Sequence, residues 1–461
     1  MSIPTWYEAI EPRRLLAEYP IGPEFLARFR GMSRDALLAL QEERFRRCLE
    51  RAWEIPFYRR LWGEAGISPG DIRGLADLPK LPTFGKAELM ASVESAPPLG
   101  DFHGYEPEGP WPMLLHTTSG TTGRPQPIPF GPRSREVQNI LLARLYLLQG
   151  LNERDVVHSV YGHGLINGGH YVREAVTRYT RALFLSAGTG VETRSQRQVE
   201  IMRDFRATVL IGFADYLRKL ADVARTAGIE PGRDIPLRMI SGHLGREDRE
   251  QLAAAWGGAE LFDWYGVGDT GAIAGEGPDH SGLHLLEDAH YVEILRLEDG
   301  QPAAADESGD LVVTCLYKDD LYPIIRFNTH DVTRLVPGEN PLGLPFRRIE
   351  GFLGRSDQMV KIRGINVFPQ ALVGHLAELP DATGEYFCIA RRDPSGREEL
   401  LVRIETRNPS DPALAERARE LLRARLGLEV LIELVPPGAT AADTGIETRQ
   451  KPLRLRDERF S

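Results

Sequence analysis

The spacing of hydrophobic and polar residues changes along this chain, and each change predicts a different kind of structure. Residues 32–53 carry Leu, Phe and Trp at helical spacing behind Ser33, a residue type that caps helices, so they predict an opening helix. From residue 112 onward, short apolar runs alternate with amphipathic stretches. The apolar runs are 156–157, 209–211 and 239–240, and the amphipathic stretches are 194–206 and 214–227. Such alternation is typical of layered α/β structure with a largely parallel sheet.

Beyond residue 290 the period shortens to two. Residues 291–297 and 310–316 alternate in this way, which indicates an antiparallel β subdomain. A Gly- and Pro-rich stretch at 337–345 then leads to Gly354 and Arg355, between which we place a domain boundary. The hundred residues that follow show strand, helix (411–426) and strand patterns, the size of a small α+β domain. We therefore expect an α/β fold with a large N-terminal domain, 1–354, of layered sheets plus a small antiparallel β subdomain, and a small α+β C-terminal domain, 355–461.

Length, charge and cysteine usage narrow the class of protein. A chain of 461 residues suggests roughly two to four domains. The formal net charge is −10 with both signs mixed, so no basic stripe argues for nucleic acid or an anionic membrane. The three cysteines, Cys48, Cys315 and Cys388, are too scattered for a disulfide framework or a metal knuckle. Without an apolar signal-peptide core or membrane-spanning run, we expect a cytoplasmic protein.

Residues 116–125, which read His-Thr-Thr-Ser-Gly-Thr-Thr-Gly-Arg-Pro, are the most informative stretch of the chain. Backbone N–H groups, hydroxyls and the cation of Arg124 suit a loop that holds phosphates. The P-loop pattern is excluded, because only Thr121 and Thr122 separate the two glycines. A solvated hairpin tip has the same composition, so this segment alone leaves both interpretations open.

Together with later segments in chain order, this loop resembles the phosphate loop of the adenylate-forming enzymes, within their phenylacetate–coenzyme A ligase branch. The segments that carry the resemblance are 118–125 (phosphate loop), 161–165 with 168–169 (acid pocket), 241–244 (adenine loop), 263–269 (adenine and magnesium motif), 282–288, 323–331 (ribose strand), 354–369 (hinge) and 451–457 (lysine motif). They cover nearly the whole chain in order.

The resemblance implies a role for each matching residue. Nucleotide-binding residues would be Thr118, Ser119, Gly120, Thr121, Thr122, Gly123, Ser241, Gly242, His243, Asp263, Trp264, Tyr265, Gly266, Asp331 and Arg355. The acid pocket would comprise Tyr161, His163, Ile166, Asn167, His170, Gly212, Phe213 and Gly266. Lys451 would be catalytic, Asp357 the hinge, Asp269 the magnesium ligand, and Arg363 with Gly364 the coenzyme A contacts.

Physical chemistry accounts for several of these roles. Bringing a carboxylate to ATP joins two anions, so cationic groups must neutralise charge around the α-phosphorus, and Lys451 is the candidate. Asp331 would accept hydrogen bonds from ribose hydroxyls, Tyr265 would stack on adenine, and Asp269 would hold magnesium. Taken singly, position alone favours a solvated tail lysine for Lys451 and a buried strand tyrosine for Tyr265, and Asp331 could be a turn residue at the end of a strand.

The resemblance also implies the reaction. An acid would attack ATP to give an acyl-adenylate and pyrophosphate, and the mobile C-terminal domain would then turn about the hinge so that coenzyme A attacks the adenylate. The expected cofactors are ATP, Mg²⁺ and coenzyme A, and the expected partner is a small carboxylic acid, without nucleic acid or membrane. Because branch members often form dimers, a homodimer is expected too.

The chain departs from the family pattern in places that bear on the substrate. Gly268-Asp269 replaces the usual Thr-Glu, and His243 and His330 replace an acidic residue and a glycine. Histidines and Asn167 make the acid pocket more polar than one for phenylacetate, favouring an aromatic acid or a small acid with a hydroxyl, amino or second carboxyl group. These side chains could equally face one another or solvent. A carrier-protein thiol, an amine or another nitrogen nucleophile is the alternative acceptor.

Two unrelated functions have weaker support. Residues 266–271 read Gly-x-Gly-x-x-Gly with Asp288 downstream, a pattern of dinucleotide oxidoreductases, but the Gly- and Pro-broken residues 272–282 exclude the helix that this motif must open. A metal hydrolase would need ligands among the acidic and histidine residues near 285. These candidates, at no familiar ligand spacing, are His280, His284, Glu287, Asp288 and His290.

Overall fold

The computed structural model describes residues 6–7, 9–109, 112–118, 125–245, 247–363, 365–446 and 452–459. Its helices are α1 (Pro12–Glu18), α2 (Gly22–Phe29), α3 (Arg34–Trp53), α4 (Pro56–Glu64), α5 (Lys86–Ser95), α6 (Pro132–Leu148), α7 (Asn167–Tyr179), α8 (Ser195–Asp204), α9 (Ala214–Thr226), α10 (Arg249–Ala255), α11 (Leu372–Leu376), α12 (Pro412–Leu426) and α13 (Ala441–Thr444). Short 3₁₀ helices span Leu75–Lys80, Ser356–Gln358 and Pro369–Ala371. None of the described helices is long and apolar enough to cross a membrane.

The strands are β1 (Leu114–Thr117), β2 (Pro127–Phe130), β3 (Val156–Ser159), β4 (Leu183–Ser186), β5 (Val209–Phe213), β6 (Met239–His243), β7 (Glu260–Val267), β8 (Gly271–Glu276), β9 (Leu283–Leu285), β10 (His290–Leu295), β11 (Gly309–Cys315), β12 (Ile324–Thr333), β13 (Leu335–Val336), β14 (Arg348–Ile349), β15 (Gly354–Arg355), β16 (Val360–Ile362), β17 (Ile365–Val367), β18 (Ala382–Arg392), β19 (Glu398–Thr406), β20 (Leu431–Val435) and β21 (Leu455–Asp457). The mixed α/β class expected from the sequence is confirmed.

Helix boundaries follow local signals in the sequence. At the start of α3, the Ser33 hydroxyl accepts a hydrogen bond from the Ala36 N–H at 3.2 Å, confirming the predicted cap. The Asp411 carboxylate caps α12 by accepting from the Ala413 N–H at 2.9 Å, and Gly427 ends that helix with a φ of 67°. These helices therefore begin and end where their side-chain chemistry predicts.

The described residues form two compact units. The first comprises 1–244, 250–329 and 333–351, and the second comprises 245–249, 330–332 and 352–461. The predicted division between 354 and 355 as two functional domains stays a prediction.

A nine-stranded sheet dominates the first unit, in the order β13-β14-β9-β8-β7-β6-β5-β3-β4. Strands β4, β3, β5, β6 and β7 are parallel, as the strand–helix alternation predicts, whereas β8 turns back antiparallel to β7. Alternate residues of β5 point to opposite faces of the sheet and pack in two different hydrophobic cores. Val209 and Ile211 belong to the larger core, and Leu210 packs with residues of α8 and α9 in the smaller one. Because both faces are covered, these strands read as unbroken apolar runs.

Strands β10 and β11 pair antiparallel from His290 opposite Cys315 to Leu295 opposite Asp310, so the period-two segments form the expected antiparallel sheet. In the second unit, β18 and β19 are antiparallel, and β20 and β21 lie parallel to their outer edges. Leu414, Ala418 and Leu422 of α12 are buried in this unit's core.

Candidate active site

The base of the phosphate-type loop is a short antiparallel hairpin. Strand β1 pairs with β2 from Leu114 opposite Phe130 to Thr117 opposite Pro127. Thr118 closes it twice: its N–H donates to the Gln126 carbonyl at 3.0 Å, and its hydroxyl accepts from the Gln126 N–H at 3.1 Å. The predicted loop residues Ser119, Gly120, Thr121, Thr122 and Gly123 lie outside the described residues. The hairpin presents both ends of the loop side by side.

Asp269, the predicted magnesium ligand, is connected to this base. It lies in the turn between β7 and β8, and its Oδ1 accepts from Gln126 Nε2 at 2.8 Å and from the Tyr322 hydroxyl at 3.0 Å. Burial raises the pKa of Asp269, and the charge of the buried Lys318 opposes that rise. Gln126 therefore links the loop to the carboxylate, a connection that sequence reasoning missed.

The Asp269 carboxylate suits a magnesium ion that is bound together with the phosphates of a nucleotide. Among the described residues, no group of three or more His, Cys, Asp or Glu side chains could hold a metal ion. Magnesium is commonly bound by one or two carboxylates together with substrate phosphates and water, so a single Asp269 suits a metal that arrives with a nucleotide.

Glycines at the carboxyl ends of the parallel strands allow the backbones to pack closely. Gly242 of β6 is opposite both Gly212 of β5 and Asp263 of β7. A Cβ on Gly242 would lie 1.8 Å from the Gly212 carbonyl oxygen, and a Cβ on Gly266 would lie 2.2 Å from the Gly271 oxygen. Ligands of open α/β sheets bind outside these strand ends, so the predicted residues here share one edge.

Four aromatic residues gather at that edge. The Tyr161 hydroxyl lies 2.6 Å from His243 Nδ1, and the His243 ring stacks on Phe213 with centroids 5.1 Å apart. Trp264 approaches His243 at 4.2 Å between centroids, and its buried indole N–H has no hydrogen-bond partner in the part of the chain that the structure describes. Burial raises the pKa of Tyr161, so its hydroxyl stays protonated. The structure thus brings together a cluster of aromatic rings, in which His243 stacks on Phe213 while Trp264 is tilted against it, with the Tyr161 hydroxyl at the edge.

Three predicted nucleotide-binding residues make hydrogen-bonding contacts within the fold. The buried Ser241 hydroxyl donates to Gln149 Oε1 at 2.7 Å. Asp263 accepts at Oδ1 from the Leu244 N–H at 2.9 Å, while its own N–H donates to Glu276. Tyr265 is also buried, and its hydroxyl lies 3.2 Å from that of Thr329.

The remaining acid-pocket residues form a second group, beside the hairpin. The Thr117 N–H donates to the Leu165 carbonyl at 2.8 Å, and Ile166 precedes α7. The His163 and His170 rings lie 5.1 Å apart, with His163 Nε2 2.9 Å from the Ser186 hydroxyl. Burial lowers the pKa of His163, which favours the neutral imidazole.

Asn167, by contrast, is directed into the interior. It is buried, and its amide oxygen accepts from Arg135 Nη1 at 2.5 Å. Arg135, a fully buried residue without a sequence signal, also donates to Glu174 at 2.9 Å. The amide oxygen of Asn167 therefore orients the Arg135 guanidinium.

In the second unit, Arg355 joins two predicted residues. It donates from Nη1 to Asp331 Oδ1 at 2.8 Å and from Nε and Nη2 to the two Asp357 oxygens at 2.8 and 2.6 Å. Asp331 is opposite Arg355 in the pairing of β12 with β15. Asp331 is buried and Asp357 is exposed, so the guanidinium connects the strand to the surface of the predicted hinge segment.

The C-terminal candidates are only partly described. Arg363 has a φ of 49° and donates to the Glu429 carbonyl at 2.5 Å. Lys451 and Gly364 lie outside the described residues.

The residues of the two rival functions have structural partners. Residues 266–271 end β7 and begin the antiparallel β8, so no crossover helix follows the glycine pattern. Glu287 accepts from Arg34 and Arg347, and Asp288 accepts from Arg144 at 2.7 Å between fully buried side chains. His284 pairs with Asp279 at 2.9 Å. These contacts make the acidic segment an internal ion-pair network.

Similarity to known proteins agrees with this geometry. Residues 364–459 match the family described as AMP-binding enzyme C-terminal domain. A phenylacetate–coenzyme A ligase of Pseudomonas putida is 33% identical over 369 residues, 76% of this chain and 78% of that protein. One of Thermus thermophilus is 29% identical over 450 residues, 91% of this chain and 97% of that protein. The chain belongs to the phenylacetate–coenzyme A ligase branch of the adenylate-forming enzymes.

Solved structures lead to the same fold. A crystal structure of 2-hydroxyisobutyryl-CoA ligase with 2-HIB-AMP and CoA is 26% identical, with a TM-score of 0.66 over 94% of this chain and 92% of that one. Another, with R3-HIB-AMP, has a TM-score of 0.80 at 24% identity over 97% and 92% of the two chains. This chain is therefore an AMP-forming acid–thiol ligase, and its relatives favour coenzyme A over the alternative acceptors.

Proposed function

We propose that this enzyme activates an aromatic acid or a small hydroxy acid with ATP and transfers the acyl group to coenzyme A. The observation that carries the choice of acid is the aromatic surface of Phe213, His243 and Trp264 with the Tyr161 hydroxyl at its edge. Flat rings bind an aryl or branched alkyl group, and a hydrogen-bonding edge selects a polar substituent.

For the first half-reaction, we assign the nucleotide to the strand-end edge and the phosphate-type loop. Asp331, which accepts from Arg355 at Oδ1, would also accept hydrogen bonds from the ribose hydroxyls. Tyr265 would line the adenine site. Lys451 would stabilise the charge that develops as the acid attacks the α-phosphorus. Asp269 would hold Mg²⁺, which neutralises phosphate charge when it is bound.

For the second half-reaction, we assign the hinge to Asp357 and the coenzyme A contacts to Arg363 and Gly364. Residues 1–354 would bind ATP and acid. Residues 355–461 would turn about the hinge after adenylate formation, which would remove Lys451 from the adenylate and open the way for the thiol of coenzyme A. A homodimer and a cytoplasmic location complete the proposal.

The test is pyrophosphate release with ATP and Mg²⁺ across aromatic, aminoaromatic and small hydroxy acids, with and without coenzyme A. We expect release that depends on one acid class, and the matching acyl–coenzyme A in the mass spectrum. Adenylate without consumption of coenzyme A would overturn the acceptor, and equal release with plain alkyl acids would overturn the substrate class. Replacing Mg²⁺ by EDTA should abolish release.

A further inference from the structure

Lys318 is a fully buried lysine whose ammonium lies against two aromatic rings. It lies in the segment after β11, and its Nζ makes no hydrogen bond within the described residues. Of its chain neighbours, Asp319 pairs with Arg133 at 3.2 Å. The Asp320 carboxylate accepts from the Ser134 N–H at 2.9 Å through Oδ2, while its buried Oδ1 has no hydrogen-bond partner within the described residues, so Asp320 is a second acidic group close to the ammonium. A buried ammonium without hydrogen bonds is costly, so nearby negative charge would stabilise it.

Tyr322 lies between the Lys318 ammonium and Asp269 of the candidate active site. Its Nζ lies 4.6 Å from the centroid of the Tyr322 ring and 5.2 Å from that of Phe130, the residue that ends β2. The Tyr322 hydroxyl donates to Asp269 Oδ1 at 3.0 Å. Tyr322 thus has the cation against its ring and the buried carboxylate at its hydroxyl.

The same carboxylate is connected to the phosphate-type loop. Gln126 donates to Asp269 at 2.8 Å and forms two hydrogen bonds with Thr118, the last described residue before the loop. A change at Lys318 can therefore reach the loop base through Tyr322, Asp269 and Gln126.

We propose that Lys318 is a positioning residue: its ammonium is the internal counter-charge of Asp269 and keeps that carboxylate and the Gln126–Thr118 loop base in place for adenylate formation. The inference rests on the proposed role of Asp269. In a buried environment a cation near a carboxylate offsets its desolvation, which hydrogen bonds from Gln126 and Tyr322 do only in part. Groups that orient a ligand residue in this way affect activity without touching the substrate.

The first test is a stability cycle on the enzyme without substrates, using Lys318→Met, Asp269→Asn and the double variant. Lys318→Met leaves the buried Asp269 without its cation, and Asp269→Asn leaves the ammonium with Asp320 as its remaining acidic neighbour, so each change should lower Tm by about 3–6 °C. The double variant removes both charges and should recover most of that loss. Additive losses in the double variant would overturn the pairing.

The second test measures acid-dependent ATP–pyrophosphate exchange below the Tm of every variant. Lys318→Met should lower kcat/KM by roughly 10–100-fold, mainly through kcat, and should cause no further loss when added to Asp269→Asn. Arg144→Met is the matched control, because it removes one partner of the buried Arg144–Asp288 pair and should lower Tm without lowering kcat.

The outcomes separate this inference from the proposed function. If Asp269→Asn abolishes exchange while Lys318→Met has the wild-type kcat, the lysine is structural and the function stands. If Asp269→Asn has no effect, both the magnesium role and the positioning role fail. If the wild type shows no acid-dependent exchange, the proposed function itself fails, whereas the stability cycle still decides whether the charges are paired.

Discussion

The hydroxyl of Tyr161 lies 2.6 Å from Nδ1 of His243 and 3.3 Å from the carbonyl oxygen of Gly212, so one phenol joins the ends of two parallel strands. His243 in turn stacks on Phe213. Segments that are 82 residues apart in sequence thereby form a single surface at the proposed acid site.

Removing the hydroxyl should affect the acid more than the nucleotide. In Tyr161→Phe the ring is kept and the hydrogen bond between the Tyr161 hydroxyl and His243 is lost, so we expect KM for the acid to rise about 2- to 10-fold. KM for ATP should change little. Pyrophosphate release at varied acid and fixed ATP measures the first value, and the converse experiment measures the second. An equal rise in both would mean that the pair supports the whole strand edge.

The close approach of β5 and β6 depends on Gly242. A Cβ there would lie 1.8 Å from the Gly212 oxygen, so Gly242→Ala should force the strands apart and cost about 1–3 kcal/mol or more of stability. Urea unfolding followed by circular dichroism measures this loss. Gly63→Ala is the control, because nothing lies within 4 Å of a Cβ at that position in α4. If both variants unfold at the same urea concentration, the steric argument is wrong.

Buried histidines should make the protein sensitive to acid. Burial lowers the pKa of His158 to about 4, with its Nε2 3.1 Å from Gln198 Oε1. In the unfolded chain this histidine has an ordinary pKa of about 6.5. Below that pH the unfolded chain therefore binds a proton at His158, whereas the folded chain keeps the imidazole neutral. Stability therefore falls as the pH drops from about 6.5 toward 4, and is unaffected by this group above that range.

Measuring the free energy of unfolding between pH 7.5 and 4.5 tests this. His158→Gln removes one titrating group, so its slope should be flatter than that of the wild type by up to about 1 kcal/mol per pH unit. His290, whose pKa burial also lowers to about 4, keeps part of the slope in the variant. Parallel curves for variant and wild type would contradict the assignment.

Replacing Lys451 should impair the first half-reaction and leave the second largely unchanged. Lys451→Ala is expected to lower adenylate formation by about 10²–10³-fold, because the cation acts on charge that develops at the α-phosphorus. Transfer from a supplied acyl-adenylate to coenzyme A should remain largely intact. Lys80→Ala, at an exposed lysine paired with Asp77, is the control and should behave as the wild type in both assays. Equal loss of both half-reactions would exclude the proposed role of Lys451.

Much of the fold could be predicted from the sequence because it depends on neighbours in the chain. The cap at Ser33, the strands around 209–211 and 239–240, and the antiparallel pair at 290–315 follow from hydrophobic period and side-chain capping. The broken pattern after Gly271 correctly excluded a dinucleotide-binding helix. The antiparallel strands that extend the main sheet beyond β7 were not predicted, because short strands such as β13 and β14 carry too few residues to show a period.

The site divides in the same way. The sequence by itself determined the family, through ordered motifs, and with it the candidate residues of the strand ends and of the loop. Only the tertiary structure decided that Gln126 meets Asp269 across 143 residues and that Asn167 faces Arg135. It also decided that Lys318, which stands beside Asp319 and Asp320 in the sequence, is buried against Phe130 and Tyr322. The physical reason is that residue type and spacing set local geometry, whereas burial and electrostatic partners depend on which distant segments the packed sheets bring together.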